Sequence, residues 1–162
     1  MPRKAAEGKM AEETKDTAGT QESKPPKPVK KNPIEDRLRA AFGDSAEMTY
    51  NLQGELEIRV PSTKIIALCD ALLKNEQAPY DYLRNQTAVD WKDRIEIVYN
   101  ICSTRTRESV VVKTNLDRET PWIETVTNIW PAADWLEREI FDLFGVSFGG
   151  HPDLRRIMLT DD

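Results

Sequence analysis

Residues 130–159 read WPAADWLEREIFDLFGVSFGGHPDLRRIML, and this stretch carries most of the information about the fold. Pro131 has a fixed φ angle that suits the first turn of a helix, and apolar residues then recur at helical spacing. The apolar positions that share this predicted helical face are Ala132, Ala133, Leu136, Ile140, Leu143 and Phe144. Gly145 can adopt the left-handed conformation that ends a helix. Residues 146–148 then alternate as a short strand does, and a glycine pair turns the chain.

The same stretch also carries a dense set of polar and turn-forming residues. They are Glu137, Arg138, Glu139 and Asp142 on the predicted helix, and His151, Pro152, Asp153, Arg155 and Arg156 after the glycine pair. Arg138 and Asp142 are four residues apart, so their spacing allows them to pair on the helix surface. Such a pair stabilises a helix by only about 0.2 to 0.5 kcal/mol. The cluster as a whole therefore requires another explanation.

The spacing of these residues resembles the signature of the 30 kDa subunit family of NADH-quinone oxidoreductase, respiratory complex I, whose bacterial members are known as the C subunit. The matching positions are Glu137-Arg138-Glu139, Asp142-Leu143-Phe144, His151, Arg155 and Ile157, and the flanking Gly145, Gly150, Pro152, Asp153 and Leu154 also fit. Upstream, residues 87–90 (TAVD) and 126–131 (VTNIWP) resemble the same family more loosely. The resemblance thus covers the C-terminal half well and the segment before it weakly.

The resemblance implies a non-catalytic subunit in the hydrophilic arm of a membrane-bound, proton-translocating NADH:quinone oxidoreductase. Proteins of this family lie close to the subunit that helps to form the quinone pocket. They hold no flavin or iron-sulfur cluster, which are expected in partner subunits. The implied location is peripheral, on the cytoplasmic face of the bacterial inner membrane or the equivalent matrix side, with membrane association through partners only.

Two other assignments stay open, and two features depart from the family pattern. The chain could be the equivalent subunit of a related energy-converting hydrogenase or of a dehydrogenase with another electron donor, or a free-standing interaction module. Relatives commonly continue with a Pro-Leu-Arg-Lys-Asp segment that is absent from this sequence, so we expect its contacts to be lost or supplied otherwise. The Lys- and Pro-containing N-terminal segment is not part of the pattern either.

Length and composition exclude several classes of protein. A chain of 162 residues is long enough for one domain with its own core. Its formal charge of −5 argues against a general nucleic-acid binder, which needs a basic surface. No apolar run reaches the length of a transmembrane helix. Cys69 and Cys102 lie far apart without histidine at ligand spacing, so we interpret both as small buried apolar residues and predict no metal site.

The remaining sequence predicts a disordered tail followed by one α+β domain. Residues 1–31 are rich in Lys, Glu and Pro with almost no β-branched apolar residues, which is typical of disorder. Residues 32–162 form the predicted domain, a mainly antiparallel sheet with helices packed on one face. Its predicted elements are a helix capped by Asn32 and ending at Gly43, a hairpin of residues 48–52 and 56–60, a helix capped by Ser62 and running to about Asn75, strands at 80–89, 94–102 and 109–114, and a polar loop at 115–120.

The charged cluster admits an enzyme interpretation and a structural one. His151 among carboxylates could supply a general acid and base, but the stretch has no nucleophile elbow, metal-ligand spacing or dinucleotide fingerprint. We therefore expect no active site within this chain. Buried Arg and carboxylate groups must be paired, and the helix and following turn can satisfy one another by bidentate bonding and backbone donors. We expect a rigid corner that presents Arg155, Arg156 and Ile157 outward as a docking surface.

Overall fold

The computed structural model describes residues 31–159, so most of the predicted tail lies outside the described residues. The helices are α1 (Glu35–Phe42), α2 (Ile65–Leu73) and α3 (Ala133–Phe144). The strands are β1 (Glu47–Tyr50), β2 (Leu56–Arg59), β3 (Tyr82–Asp90), β4 (Arg94–Cys102), β5 (Ser109–Asp117), β6 (Trp122–Glu124) and β7 (Ser147–Gly149). Short 3₁₀ turns at Gly43–Ser45 and Ser62–Lys64 follow α1 and precede α2.

Five of the strands form one sheet in the order β1-β2-β5-β4-β3. All neighbours are antiparallel except β2 and β5, which are parallel. Alternation places Ile58, Val112 and Tyr99 side by side across three strands, and all three are completely buried. Apolar residues of all three helices join these inward-facing residues in one buried cluster. The predicted α+β fold with a mainly antiparallel sheet is confirmed.

The first two helices begin later than the sequence predicts. Asn32 accepts a hydrogen bond at Oδ1 from the Ile34 backbone N–H (3.1 Å), but the helical hydrogen-bonding pattern of α1 starts only at Glu35. The side chain of Ser62 makes no capping hydrogen bond, and the chain enters α2 through a 3₁₀ turn. α2 ends at Leu73, two residues before Asn75, whose side chain instead donates to the Ala78 carbonyl (3.0 Å).

The largest differences from the sequence predictions lie between β5 and α3. The predicted loop at 115–120 is wrong in its first half, because β5 continues to Asp117 opposite Arg94 and matches the full length of β4. β6 is not predicted by the sequence, and it pairs in parallel with β7 in a separate two-stranded sheet. This small sheet places Gly149, the first residue of the glycine pair, beside Glu124, which precedes α3 in the chain.

Candidate functional site

α3 buries Ala133 and Ile140 of the predicted apolar face, but it also buries charged residues that the sequence places outside that face. Leu143 is 46% exposed, whereas Glu137 is fully buried and Arg138 and Asp142 are 5% and 7% exposed. The helix is covered from two sides, by the five-stranded sheet through β3 and by the segment that follows β7. A helix covered in this way can bury charged residues, provided that each finds partners.

Glu137 connects α3 to the chain that follows β6. Its Oε1 accepts a hydrogen bond from the backbone N–H of Val126 (2.8 Å), and its Oε2 accepts one from the Thr125 hydroxyl (2.5 Å). Burial raises the pKa of Glu137 above its usual value, although these two hydrogen bonds oppose the shift. This carboxyl group therefore fixes the position of α3 against the small sheet.

His151 holds the turn after β7. Its ring is buried, and Nδ1 accepts a hydrogen bond from the Asp153 backbone N–H (3.1 Å). The neutral imidazole must then carry its proton on Nε2. That nitrogen lies 3.3 Å from the Asp134 carbonyl oxygen, 3.5 Å from the Asp134 carboxylate and 3.9 Å from Oε2 of Glu137. The histidine thus ties the turn to the first turns of α3.

Arg138 does not form the pair with Asp142 that their spacing allows. Its guanidinium lies over the Trp135 ring at 4.8 Å, and its Nε donates to the Arg155 carbonyl (3.4 Å). The carboxylates near its Nη1 belong to Asp134 (3.9 Å) and Asp153 (4.0 Å). The pair does not form because Arg138 points toward the N-terminal part of α3, while Asp142 binds the end of the described chain.

Asp142 binds the backbone of the last described residues. Its Oδ2 accepts three N–H groups, from Ile157 (3.0 Å), Met158 (2.6 Å) and Leu159 (2.9 Å), and Nε of Arg156 lies 3.3 Å from Oδ1. Burial tends to raise the pKa of Asp142, but the three backbone donors and then Arg156 outweigh it and lower the pKa. The carboxylate acts as an anchor for residues 156–159.

The remaining predicted site residues form the frame or the surface of the corner. Gly145 has the left-handed conformation (φ 71°) that ends α3. Gly150 has φ 80° and lies close to Thr125. Pro152 and Asp153 are exposed, and Asp153 pairs with Arg155 (3.0 Å). Glu139 is half-buried, and its carboxylate makes no hydrogen bond or ion pair with another residue of the described range.

Three residues that contribute contacts to the site are not predicted as site residues by the sequence. Thr125, Val126 and Asp134 contribute direct contacts, yet none belongs to the charged cluster recognised in the sequence. Two tryptophans near the site take different positions. Trp130 is buried and donates to the Tyr80 carbonyl (3.1 Å), whereas Trp122 is 56% exposed and covers Gly149. No local signal in the sequence marks this contact, because it depends on the pairing of β6 with β7.

The contacts described at the site are hydrogen bonds and ion pairs. Within residues 31–159, no group of three or more His, Cys, Asp or Glu side chains could hold a metal ion. Burial raises the pKa of the Cys69 thiol, which leaves this residue a protonated, fully enclosed side chain. In the same range, no helix combines the length and apolar character needed to cross a bilayer.

Comparison with known proteins gives one consistent family. Residues 58–162 match the family model "Respiratory-chain NADH dehydrogenase, 30 Kd subunit". The C subunit of NADH-quinone oxidoreductase from Geotalea uraniireducens is 41% identical, with 78% of this chain and 77% of that protein covered. NADH-ubiquinone oxidoreductase subunit 9 of Reclinomonas americana is 46% identical, with 67% of this chain and 54% of that protein covered.

Two solved structures are also similar. A trypsin-resistant fragment of Nqo5 gives a TM-score of 0.61 at 26% identity and covers 75% of this chain and 98% of the fragment. A chain of the membrane-bound sulfane sulfur reductase, an archaeal respiratory membrane complex, gives a TM-score of 0.69 at 29% identity. It covers 80% of this chain and 76% of that one. The fold of this chain therefore also occurs in Nqo5 and in a chain of the membrane-bound sulfane sulfur reductase.

Proposed function

Because this chain belongs to the family of the respiratory-chain NADH dehydrogenase 30 Kd subunit, we propose that it is a non-catalytic subunit of the peripheral arm of a membrane-bound, proton-translocating NADH:quinone oxidoreductase. In this role it binds other hydrophilic-arm subunits, above all the one that forms the quinone site, and reaches the membrane through them. Flavin and iron-sulfur clusters belong to those partners. In a bacterium the chain lies on the cytoplasmic face of the inner membrane.

The observation that supports this proposal is the arrangement of side chains in the corner formed by α3 and residues 145–159. Some of these side chains point into the domain and others point outward. Glu137, His151 and Asp142 are directed inward, where they fix the turn and the following segment. The outward side of the corner combines apolar surface with arginine. The exposed members are Trp135 (64%), Leu143 (46%), Met158 (58%) and Leu159 (50%), together with the side chains of Arg155 (70%) and Arg156 (49%). Rigid surfaces of aromatic, apolar and Arg side chains are typical of protein interfaces.

This role is tested by recovering the complex from detergent-solubilised membranes with a tagged full-length chain. We expect Arg138→Ala and Asp142→Ala to reduce the amount of assembled complex, while turnover per assembled complex stays unchanged. Leu143→Glu tests the surface directly, since Leu143 is exposed and its replacement leaves the buried contacts intact. Lys74→Ala is the control, because Lys74 is exposed and pairs only with Asp70 on α2 among the described residues. Normal assembly with abolished turnover would overturn the proposal.

A second candidate function rests on the likeness to the archaeal sulfane sulfur reductase chain. It is the equivalent subunit of a related complex, such as an energy-converting hydrogenase or a dehydrogenase with another electron donor. The corner alone does not separate the two, but the identity of the co-purifying subunits does. A monodisperse chain that recovers no redox subunit at all would favour a free-standing interaction module.

A further inference from the structure

The core face of the sheet contains three polar residues beneath α3. Gln86 of β3 stands directly opposite Tyr99 of β4. Thr114 of β5 stands opposite Ile97, which is two residues from Tyr99 and so points to the same face. Gln86 is 2% exposed, and Tyr99 and Thr114 are completely buried. The register of three adjacent strands thus gathers three polar side chains, which we call the sheet-face polar group, inside the core.

Four side-chain atoms of the sheet-face polar group lack a hydrogen-bond partner among residues 31–159. They are Nε2 and Oε1 of Gln86, the hydroxyl of Tyr99 and Oγ1 of Thr114. Buried polar atoms in native proteins are nearly always hydrogen bonded, to protein or to ordered water. A single such atom could be incidental, but four atoms on one patch of three neighbouring strands indicate a common partner.

The sheet-face polar group lies next to the fixed carboxyl group of α3. The Gln86 amide is close enough to Glu137 to lower the pKa of that carboxyl, although it completes no hydrogen bond with it. Burial raises the pKa of Tyr99 far above its ordinary value, with smaller contributions from Cys69 and Glu137. Since Glu137 already accepts from Thr125 and Val126, its oxygens have room for one further donor each.

We propose that the sheet-face polar group binds internal water, which bridges Gln86, Tyr99 and Thr114 and connects them to Glu137. The hydroxyls of Tyr99 and Thr114 can each donate and accept, and the Gln86 amide offers both kinds of group. Water is the small ligand that matches this mixture, because it donates and accepts and typically makes about three bonds inside a protein. The bridge fastens α3 to the centre of the sheet, beyond the direct contacts of Glu137 with the chain after β6.

The test uses the full-length chain and two variants that remove one hydroxyl each with little change of shape, Tyr99→Phe and Thr114→Val. Magnetic relaxation dispersion of solvent nuclei detects long-lived internal water, and a crystal structure locates it. We expect each variant to lose long-lived water signal and to melt lower by roughly 2 to 6 °C. Tyr80→Phe is the matched control, since Tyr80 is also fully buried but its hydroxyl donates directly to Asn32 (3.1 Å). This control should melt lower with its internal water unchanged.

Two outcomes would overturn the proposal. If the patch is dry and its polar atoms are simply unpaired, removal of a hydroxyl relieves a cost, and Tyr99→Phe and Thr114→Val raise the melting temperature. If the three side chains bond to one another in solution, both variants melt lower but the water signal stays the same. A lower melting temperature together with lost water signal is the one result that supports the bridge.

Discussion

The pKa values of the two buried carboxylates of α3 are shifted in opposite directions. Glu137 has a raised pKa and Asp142 a lowered one, although they are only five residues apart on the same helix and both are covered. Glu137 accepts one backbone N–H and one hydroxyl, whereas Asp142 accepts three backbone N–H groups and lies beside Arg156. Both carboxylates are shielded from water, and this alone raises the pKa. The number and charge of the hydrogen-bond donors therefore decide the direction of the net pKa shift.

The two groups also hold different parts of the molecule. Glu137 binds Thr125 and Val126, which belong to the body of the domain. Asp142 binds residues 157–159, at the end of the described chain. We therefore expect the loss of Glu137 to weaken the whole fold and the loss of Asp142 to release one segment. The following predictions test that division.

Glu137→Ala should have the largest effect on global stability. It leaves the buried Val126 N–H without an acceptor and removes one partner of the Thr125 hydroxyl. A buried unsatisfied group costs about 1 to 3 kcal/mol. We expect the free energy of unfolding, measured by urea denaturation, to fall by about 2 to 4 kcal/mol. Glu139→Ala is the matched control, because Glu139 is half-buried without such bonds among the described residues. Equal losses in both variants would show that burial of the carboxyl has no special role.

Amide variants should separate the two carboxylates by pH. Because the pKa of Glu137 is raised, its folded form binds more protons, and its contribution to stability is present below the ordinary value of 4.5 and lost as pH rises through the folded pKa. Glu137→Gln removes this dependence, so its stability relative to the unmodified chain should increase as pH rises from 4 toward neutrality. The slope should approach about 1.4 kcal/mol per pH unit between the ordinary and the raised pKa.

Asp142→Asn should show the reverse pH dependence. The pKa of Asp142 is lowered, so its stabilising contribution is present above the ordinary value of 3.8 and lost as pH falls through the folded pKa. The deficit of the variant should therefore be largest near neutral pH and shrink in acid. Denaturation curves of both variants from neutral pH downward check this. Parallel curves for the glutamine and asparagine variants would contradict the comparison.

Arg138→Lys should have a smaller effect, because it keeps the charge and loses the planar stack on Trp135. A cation above an exposed aromatic ring contributes about 0.5 to 1 kcal/mol, and a lysine retains part of this. We expect urea denaturation to register a loss of at most about 1 kcal/mol. Arg94→Lys is the matched comparison, because it changes the same kind of contact at another place. Arg94, at the start of β4, lies over the Trp91 ring at 5.4 Å. A loss as large as that of Glu137→Ala would mean that Arg138 has a partner beyond those described.

The sequence predicts the regular part of this fold well. β4 occupies the predicted residues 94–102, because apolar and polar residues alternate along most of its length. α3 ends at Gly145 as predicted, since a residue with positive φ is needed there. These features depend on local periodicity and on backbone conformation, which neighbouring residues in the sequence reveal.

The parts that escaped prediction depend on contacts between distant residues. β6 has three residues, too few for any periodicity, and exists through its pairing with β7. The charged cluster is visible in the sequence, but the partners of its members are not. Arg138 and Asp142 stand at pairing distance on a bare helix, yet the chain after β7 folds back and supplies Asp142 with three N–H groups. Every residue except proline has a backbone N–H group, so the sequence does not show which N–H groups will bind Asp142.

Asp142→Ala should change global stability least and local structure most. Without the carboxylate, the N–H groups of Ile157, Met158 and Leu159 lose their common acceptor, while the contacts of Glu137 with the domain remain. We expect amide hydrogen exchange at residues 157–159 to become about tenfold faster or more, with exchange in β4 unchanged. Glu137→Ala should instead raise exchange throughout the domain. If Asp142→Ala accelerated exchange in β4 as well, the segment would belong to the cooperative core, and the two carboxylates of α3 would no longer have separate roles.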